Sequence, residues 1–381
     1  MPPATASDLS ALHPTRAIIS LAAFRNNLRA VRSFVGKRVK IMAVVKANGY
    51  GHGMLAMAQA AVRWGVDYLA VARVEEGLAL RAAGTEAPIL VFEVAPSQLV
   101  RAAVAARLEL TVVSVEQARQ VSETAGAHGM TARVHAKVDT GMGRLGMGYA
   151  AAASVVESVV GLPALALAGV YSHFATAEEQ DQSFARLQLV RFNRVLQDLA
   201  QRGIAVPLRH MAGSGAIMTY PEAQFDMVRP GVMLYGYAPR RGMPGSEKLV
   251  PVLSLVSHIS MLKRVEPNTG ISYGRRYVTR SHTRIATVPV GYGDGYSRML
   301  TGKAEVLIHG KRFPVAGTVC MDHIMVDVGN VDAIQPGEAV TLIGREGDLA
   351  VTAWDIAERL GTIPYEVTCM VADRVPRVYV E

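Results

Sequence analysis

The segment AVVKANGYGHG places Lys46 directly after the apolar run that ends at Val45. A lysine there is partly desolvated, which favours the neutral amine, the form that attacks an aldehyde carbon. Other reactive side chains follow short β-rich runs in the same way: Lys137, Asp139 and Arg144 in VHAKVDTGMGRLG, His173 in GVYSHF, Ser214 in HMAGSGA and Arg229 in MVRPG. Taken singly, each has a bland reading, since a lysine can snorkel to the surface and a histidine can sit satisfied in a core. Together they mark the carboxyl ends of strands, where barrel enzymes keep their chemistry.

The elements that would position them alternate from residue 39 to about 236, with short β-rich runs separated by Ala- and Leu-rich helical segments every ~20–40 residues. Strands are expected at 39–45, 68–72, 89–92, 110–113, 133–138, 168–172, 208–211 and 227–228, and helices at 21–34, 55–64, 75–83, 99–106, 115–125 and 184–201. Ser114 and Gln117 have the spacing of a capping box. Eight such units predict an α/β chain with an N-terminal (β/α)8 TIM-type barrel, and an open doubly wound sheet is the alternative that periodicity alone leaves standing. Beyond residue 248 the texture changes to β-type runs at 253–262, 284–289, 304–308, 318–320, 324–328 and 339–343, punctuated by Gly and Pro. The expected division is a barrel domain over 1–248 and a C-terminal mostly β domain over 249–381, with the Gly-, Pro- and charge-rich stretch 236–248 as linker.

Length supports two domains, since 381 residues exceed one ordinary compact unit. Half the residues are hydrophobic and 19% charged, a composition that folds. The net charge of +8 is scattered in ones and twos, without the basic stripe of a nucleic-acid reader. The opening residues lack an export pattern and no apolar stretch is long enough to span a membrane, so a cytoplasmic protein with no membrane partner is expected. Two cysteines, Cys320 and Cys369, provide neither a disulfide framework nor a cysteine zinc site, and no metal site is expected.

Along nearly the whole chain these segments resemble the signatures of the bacterial alanine racemase family. AVVKANGYGHG looks like the family's cofactor-lysine motif, KVDTGMGRLG its central barrel motif and YSHFATA its histidine segment. MVRPGVMLYG resembles its pyridine-facing arginine, ISYGRRY its tyrosine segment, VGYGDGYSR and CMD its substrate rim, and TIPYEV its last phosphate contact. The resemblance implies the cofactor pyridoxal 5'-phosphate, bound through Lys46, and two bases on opposite faces of the substrate α-carbon, Lys46 and Tyr273. It implies that Arg229 faces the pyridine nitrogen, that His173 links Arg229 to Tyr273, and that Tyr50, Ser214, Gly231, Val232 and Tyr365 bind phosphate. Arg144 would approach the cofactor or the substrate carboxylate, steadied by Lys137, which many family members carry carbamylated. Met321 would bind the substrate carboxylate through its backbone amide, and Tyr292 with Arg298 would form a narrow entrance. Tyr273, Tyr292 and Met321 would come from a second subunit, so the implied assembly is a homodimer acting on L-alanine and D-alanine, with D-alanine supplied to peptidoglycan.

Two departures stand out. Gly213-Ser214 replaces the family's usual Asn-Ser, which removes an amide and implies modestly weaker cofactor retention, and Tyr296 stands where Trp is common. Other readings fare less well. GMGRLG at 141–146 matches a dinucleotide fingerprint, but no acidic residue ends a further strand about twenty positions on. A racemase of broader specificity, a basic amino-acid decarboxylase and a noncatalytic cofactor carrier share the fold. The carrier would lack the second domain, and the Tyr-lined entrance suits a small side chain.

Overall fold

A computed structural model describes residues 13–381. The described residues divide into two compact units, one of Phe24–Gly49 with Met54–Val250 and one of 13–23, Tyr50–Gly53 and Pro251–Glu381.

The first unit is a parallel barrel. Its strands follow in space as Met227–Val228, Lys40–Val44, Tyr68–Val71, Ile89–Val91, Glu109–Val112, Ala132–Asp139, Leu165–Tyr171 and Arg209–His210. Tyr68–Val71, Ile89–Val91 and Glu109–Val112 are buried throughout, as strands covered on both faces must be. The ends of the sheet join through Arg229 N–H donating to the Ala212 carbonyl at 2.9 Å, Asp226 N–H donating to the Arg209 carbonyl at 3.1 Å and a parallel bridge between Gly213 and Arg229. Those bonds close the barrel and remove the open-sheet alternative. Outside it run the expected helices, and among those not expected are the short Ser214–Thr219 and Ala152–Val160, whose valines lower its helical propensity but place Ala152, Val156 and Val159 in the core. The capping box is only half formed. Ser114 Oγ accepts from Gln117 N–H, but the Gln117 side chain accepts from Val113 N–H, one residue further back.

The second unit is mostly β, with strand order Lys311–Pro314, Glu305–Ile308, Ala339–Glu346, Leu253–His258, Arg16–Ser20 and Arg377–Val380. Arg16–Ser20 pairs antiparallel with Leu253–His258 and parallel with Arg377–Val380, so the N-terminal strand belongs here and not with the barrel as the 1–248 division has it. The run 253–262 is two strands, because Ile259 and Ser260 bond to Glu338 and Thr287 and carry the chain from one sheet to another. Residues 318–320 form no strand. Val319 N–H is taken by Thr301 Oγ1 and Cys320 N–H by the His323 carbonyl, which leaves no ladder. Two helices, Ala353–Leu360 and Pro364–Cys369, also lie in this unit.

The stretch 236–248 is not an open linker. Tyr237, Ala238 and Met243 are buried, and the Asn26 amide donates to the Lys248 carbonyl. Beside it, fully buried Asn27 donates to the Leu234 and Val250 carbonyls at 3.1 and 2.8 Å and accepts from Val250 N–H at 2.8 Å. One side chain thus satisfies three backbone groups of the last barrel segment. Asn27→Ala leaves them unpaired and is expected to lower the stability of the cofactor-free protein by about 2 kcal/mol in urea unfolding. A loss below about 0.5 kcal/mol would show that the segment is held some other way.

Candidate active site

Lys46 follows the first barrel strand, where the chain turns through a left-handed loop. Ala47, Asn48 and Gly49 have φ of 54°, 52° and 61°, and Tyr50 follows at 53°. Only glycine adopts this region without cost, so three of these four residues are strained and need external support. Glu76 supplies it. Its carboxylate accepts from Ala47 N–H at 2.7 Å through one oxygen, and from Ala72 and Arg73 N–H at 2.7 and 3.1 Å through the other. Asn48 Oδ1 accepts from Met54 N–H at 2.9 Å and pins the far side. Neither residue was expected from the sequence, although a glutamate opening the helix Val74–Ala82 was visible there.

Arg229 is buried and organises the barrel's open end. Its Nη1 donates to His210 Nδ1 at 2.9 Å, and its Nη2 to the Ser172 carbonyl at 2.7 Å, the Met211 carbonyl at 3.0 Å and His173 Nδ1 at 3.2 Å. Burial pushes the guanidinium down to about 10, which still leaves it charged at neutral pH. His173 is held well below the ordinary imidazole range by burial, with Arg229, Arg144, Lys137 and Lys46 adding to the effect, so it is neutral and accepts from Arg229. The expected link between His173 and Arg229 is therefore present, whereas Tyr273 belongs to the other unit.

Lys137 is buried too, with its ammonium 5.2 Å from the centre of the Tyr171 ring. Burial first, then Arg229, Arg144 and Lys46, pushes it down to about 8 against the opposing charge of Asp139. Lys137 and Arg144 cannot bond to each other, because as an ammonium and a guanidinium both only donate. Asp139 does bond, but to the loop that follows: its carboxylate accepts from Gly141, Met142 and Gly143 N–H at 2.9–3.2 Å. The glycine-rich N–H groups of GMGRLG are thus engaged by the chain's own carboxylate, which removes the dinucleotide reading.

Ser214, Gly231 and Val232 come together. Ser214 Oγ accepts from Gly231 N–H at 3.0 Å and Met233 N–H at 3.3 Å. The Gly231 N–H, expected at phosphate, is engaged by Ser214; Val232 instead opens a 3-10 turn, whose first N–H groups lack intrahelical acceptors. Gly213 lies against His173, and a Cβ built there would stand 3.1 Å from the imidazole Cε1, so an asparagine requires the ring to give way slightly.

The other expected residues lie in the β unit. Tyr50 and Tyr365 meet edge to face at 6.5 Å. Burial, with Cys369 and Tyr365, pushes the Tyr50 phenol well above its usual range. Tyr273 is 71% exposed, with its backbone anchored by Thr318 Oγ1 donating to its carbonyl at 2.7 Å. Tyr292 N–H donates to the Cys320 carbonyl and Gly293 N–H to that of Met321, which joins the two rim segments, while Thr301 Oγ1 ties Arg298 and Val319 together. Tyr296 is buried with its hydroxyl unpartnered among the described residues.

The barrel donors fit a phosphorylated pyridine aldehyde. Lys46 offers an amine, Ser214 and the Val232 turn offer phosphate donors, and Arg229 Nε–H has no partner among the described residues and can serve only an unprotonated ring nitrogen. No group of three or more His, Cys, Asp or Glu among the described residues is placed to hold a metal.

Comparisons with known proteins agree across both units. A family model described as "Alanine racemase, N-terminal domain" matches residues 19–239, and "Alanine racemase, C-terminal domain" matches 252–379. The chain is 42% identical to "Alanine racemase 2" of Caldanaerobacter subterraneus subsp. tengcongensis, covering 97% of this chain and 95% of that protein. It is 44% identical to the alanine racemase of Desulforamulus reducens, over 96% and 99% of the two chains. Among solved structures, the alanine racemase of Clostridium difficile 630 superposes with a TM-score of 0.92 at 39% identity, over 97% and 96% of the chains. That of Bacillus anthracis with bound L-Ala-P gives 0.91 at 37% identity, over 97% and 95%.

Because Glu76 satisfies three N–H groups around the strained turn, Glu76→Ala is expected to cost about 2–3 kcal/mol in urea unfolding. A variant as stable as the parent would show that the left-handed turn stands unaided.

Proposed function

The chain belongs to the alanine racemase family, and from that membership we propose that it interconverts L-alanine and D-alanine with Lys46 and Tyr273 as its two bases. The observation that carries the reading is identity above 40% to alanine racemases over nearly the full length of both chains. The enzyme is a pyridoxal-phosphate-dependent isomerase, and D-alanine for peptidoglycan is the family's product. The C-terminal domain is present and matched over residues 252–379, which sets aside the noncatalytic carrier.

When bound, pyridoxal phosphate supplies an electron-withdrawing ring that stabilises negative charge at the substrate α-carbon. Lys46 holds the cofactor and moves a proton on one face of that carbon, and Tyr273 moves a proton on the other, which inverts the centre with no other change. Arg229 would donate to the ring nitrogen without giving up its proton, which would temper the ring's electron withdrawal. Ser214, Val232, Tyr50 and Tyr365 would hold the phosphate, the Gly231 N–H being taken by Ser214, and Gly213 would leave that hold modestly weaker than an amide would.

Arg144 and the Met321 backbone amide receive the substrate carboxylate, and Tyr292 and Arg298 narrow the entrance. Tyr273, Tyr292 and Met321 come from a second copy of the chain in a cytoplasmic homodimer. Support for this comes from the exposure of Tyr273, Met321 and Tyr292, 71%, 53% and 41%, on segments that the β unit holds rigidly. No helix among the described residues is long and apolar enough to cross a membrane.

Shared sites are tested by complementation. Lys46→Ala and Tyr273→Phe are each expected to abolish most turnover, while randomly mixed subunits of the two regain about a quarter of parental activity, since half the dimers carry one intact site. Mixtures as inactive as their parents would place both bases in one subunit.

Lys137 is proposed to take up CO2, which turns a cation among cations into an anion that can steady Arg144. Only the neutral amine reacts, so uptake is expected to grow as pH rises through about 8. Carbon-13 NMR of protein equilibrated with labelled bicarbonate reads this directly; no carbamate signal above that pH would rule it out.

A further inference from the structure

Among the described residues Arg229 makes no direct ion pair. Its nearest route to an anion is a file of buried side chains that crosses the barrel interior. His210 Nε2 lies 3.0 Å from His135 Nδ1, and His135 Nε2 lies 2.6 Å from Glu109 Oε2. Glu109 is also bound by Arg133 at 2.6 Å. Glu109 is 3% exposed and both histidines are fully buried. Glu109 opens its strand, at the end of the barrel opposite the mouth, and Arg229 directly follows the end of Met227–Val228.

Chemistry at the two ends fixes every proton between them. A guanidinium only donates, so His210 Nδ1 must accept and its proton must sit on Nε2. His135 Nδ1 then accepts in turn, which places its proton on Nε2, and the Glu109 carboxylate accepts that. No other arrangement satisfies all three contacts. Burial, Arg229, His135 and Lys137 hold His210 well below its ordinary range, in keeping with a neutral ring. Hydrogen bonds from His135 and Arg133 overcome burial and hold the Glu109 carboxyl below its usual range, so the terminal anion is secure.

Local structure is adapted to the file. A Cβ on Gly169 would lie 2.7 Å from His135 Nδ1, and the strand pairing shifts register there to bring Gly169 opposite His135. The His210 ring is further stacked on Tyr171, with centroids 4.8 Å apart and planes at 3°.

We propose that Glu109 and His135 are positioning residues for the reaction, which through His210 hold Arg229 in one orientation and supply the counter-charge its buried guanidinium lacks. The inference rests on the racemase reading for what Arg229 faces, but the proton arrangement does not.

The first test uses cofactor-free protein labelled with nitrogen-15 in histidine, examined by long-range proton–nitrogen NMR at neutral pH. Both His135 and His210 are expected as Nε2–H tautomers; an Nδ1–H tautomer at either overturns the proposal. The second test compares Glu109→Gln with the parent as holoenzyme. We expect kcat to fall about tenfold, with KM for alanine changed less than about twofold, and no further fall when the change is made in an Arg229→Lys background. Unchanged kcat, or losses that multiply in the double variant, would contradict a role through Arg229. Should Glu109→Gln fail to fold, His135→Gln carries the same cycle. A parent protein without racemase activity would sink the functional reading while the NMR result still judged the proton arrangement.

Discussion

A guanidinium buried among neutral acceptors gives hydrogen bonds and takes none, and this one-way chemistry organises the open end of the barrel. Arg229 engages the Ser172 and Met211 carbonyls and the acceptor nitrogens of His173 and His210. Its remaining Nε–H can meet only a group with a free lone pair. Burial, reinforced by this cation, keeps His173 neutral, while the guanidinium, lowered only to about 10, stays charged at neutral pH. Burial, together with the site's positive charge, explains why Lys137 holds its proton weakly.

A second constraint acts at the reactive lysine. The chain leaves the first strand through a left-handed turn that three non-glycine residues occupy at a cost. Such strain persists only where the surroundings overdetermine it, and Glu76 and Asn48 do so from neighbouring backbone. The result is a lysine that leaves the strand on a turn whose backbone is fixed by side-chain hydrogen bonds on both sides.

Much of this was legible in the sequence because barrel strands announce themselves. All eight were visible as apolar runs, and the lysine, histidine, serine and arginine that follow them stand at the carboxyl ends as that pattern requires. Closure was not legible, since it depends on backbone bonds between residues 209–213 and 226–229 that no periodicity records. The N-terminal strand was missed because Arg16–Ser20 is paired with strands more than two hundred residues away in sequence. The helix Ala152–Val160 was hidden by its valines, and 236–248 read as linker although Tyr237 and Met243 are buried. Within the site, Arg133, His135 and Lys137 alternate along one strand, a spacing that points all three the same way. That signal could have placed His135 inside the barrel beneath Lys137, but only coordinates could connect it to Glu109 and His210.

The central claim is tested most directly by incubating the purified, cofactor-loaded protein with L-alanine and, separately, with D-alanine, and following the enantiomer ratio by chiral chromatography. Both reactions are expected to approach an equal mixture. Cofactor-loaded protein that leaves either enantiomer unchanged would contradict it.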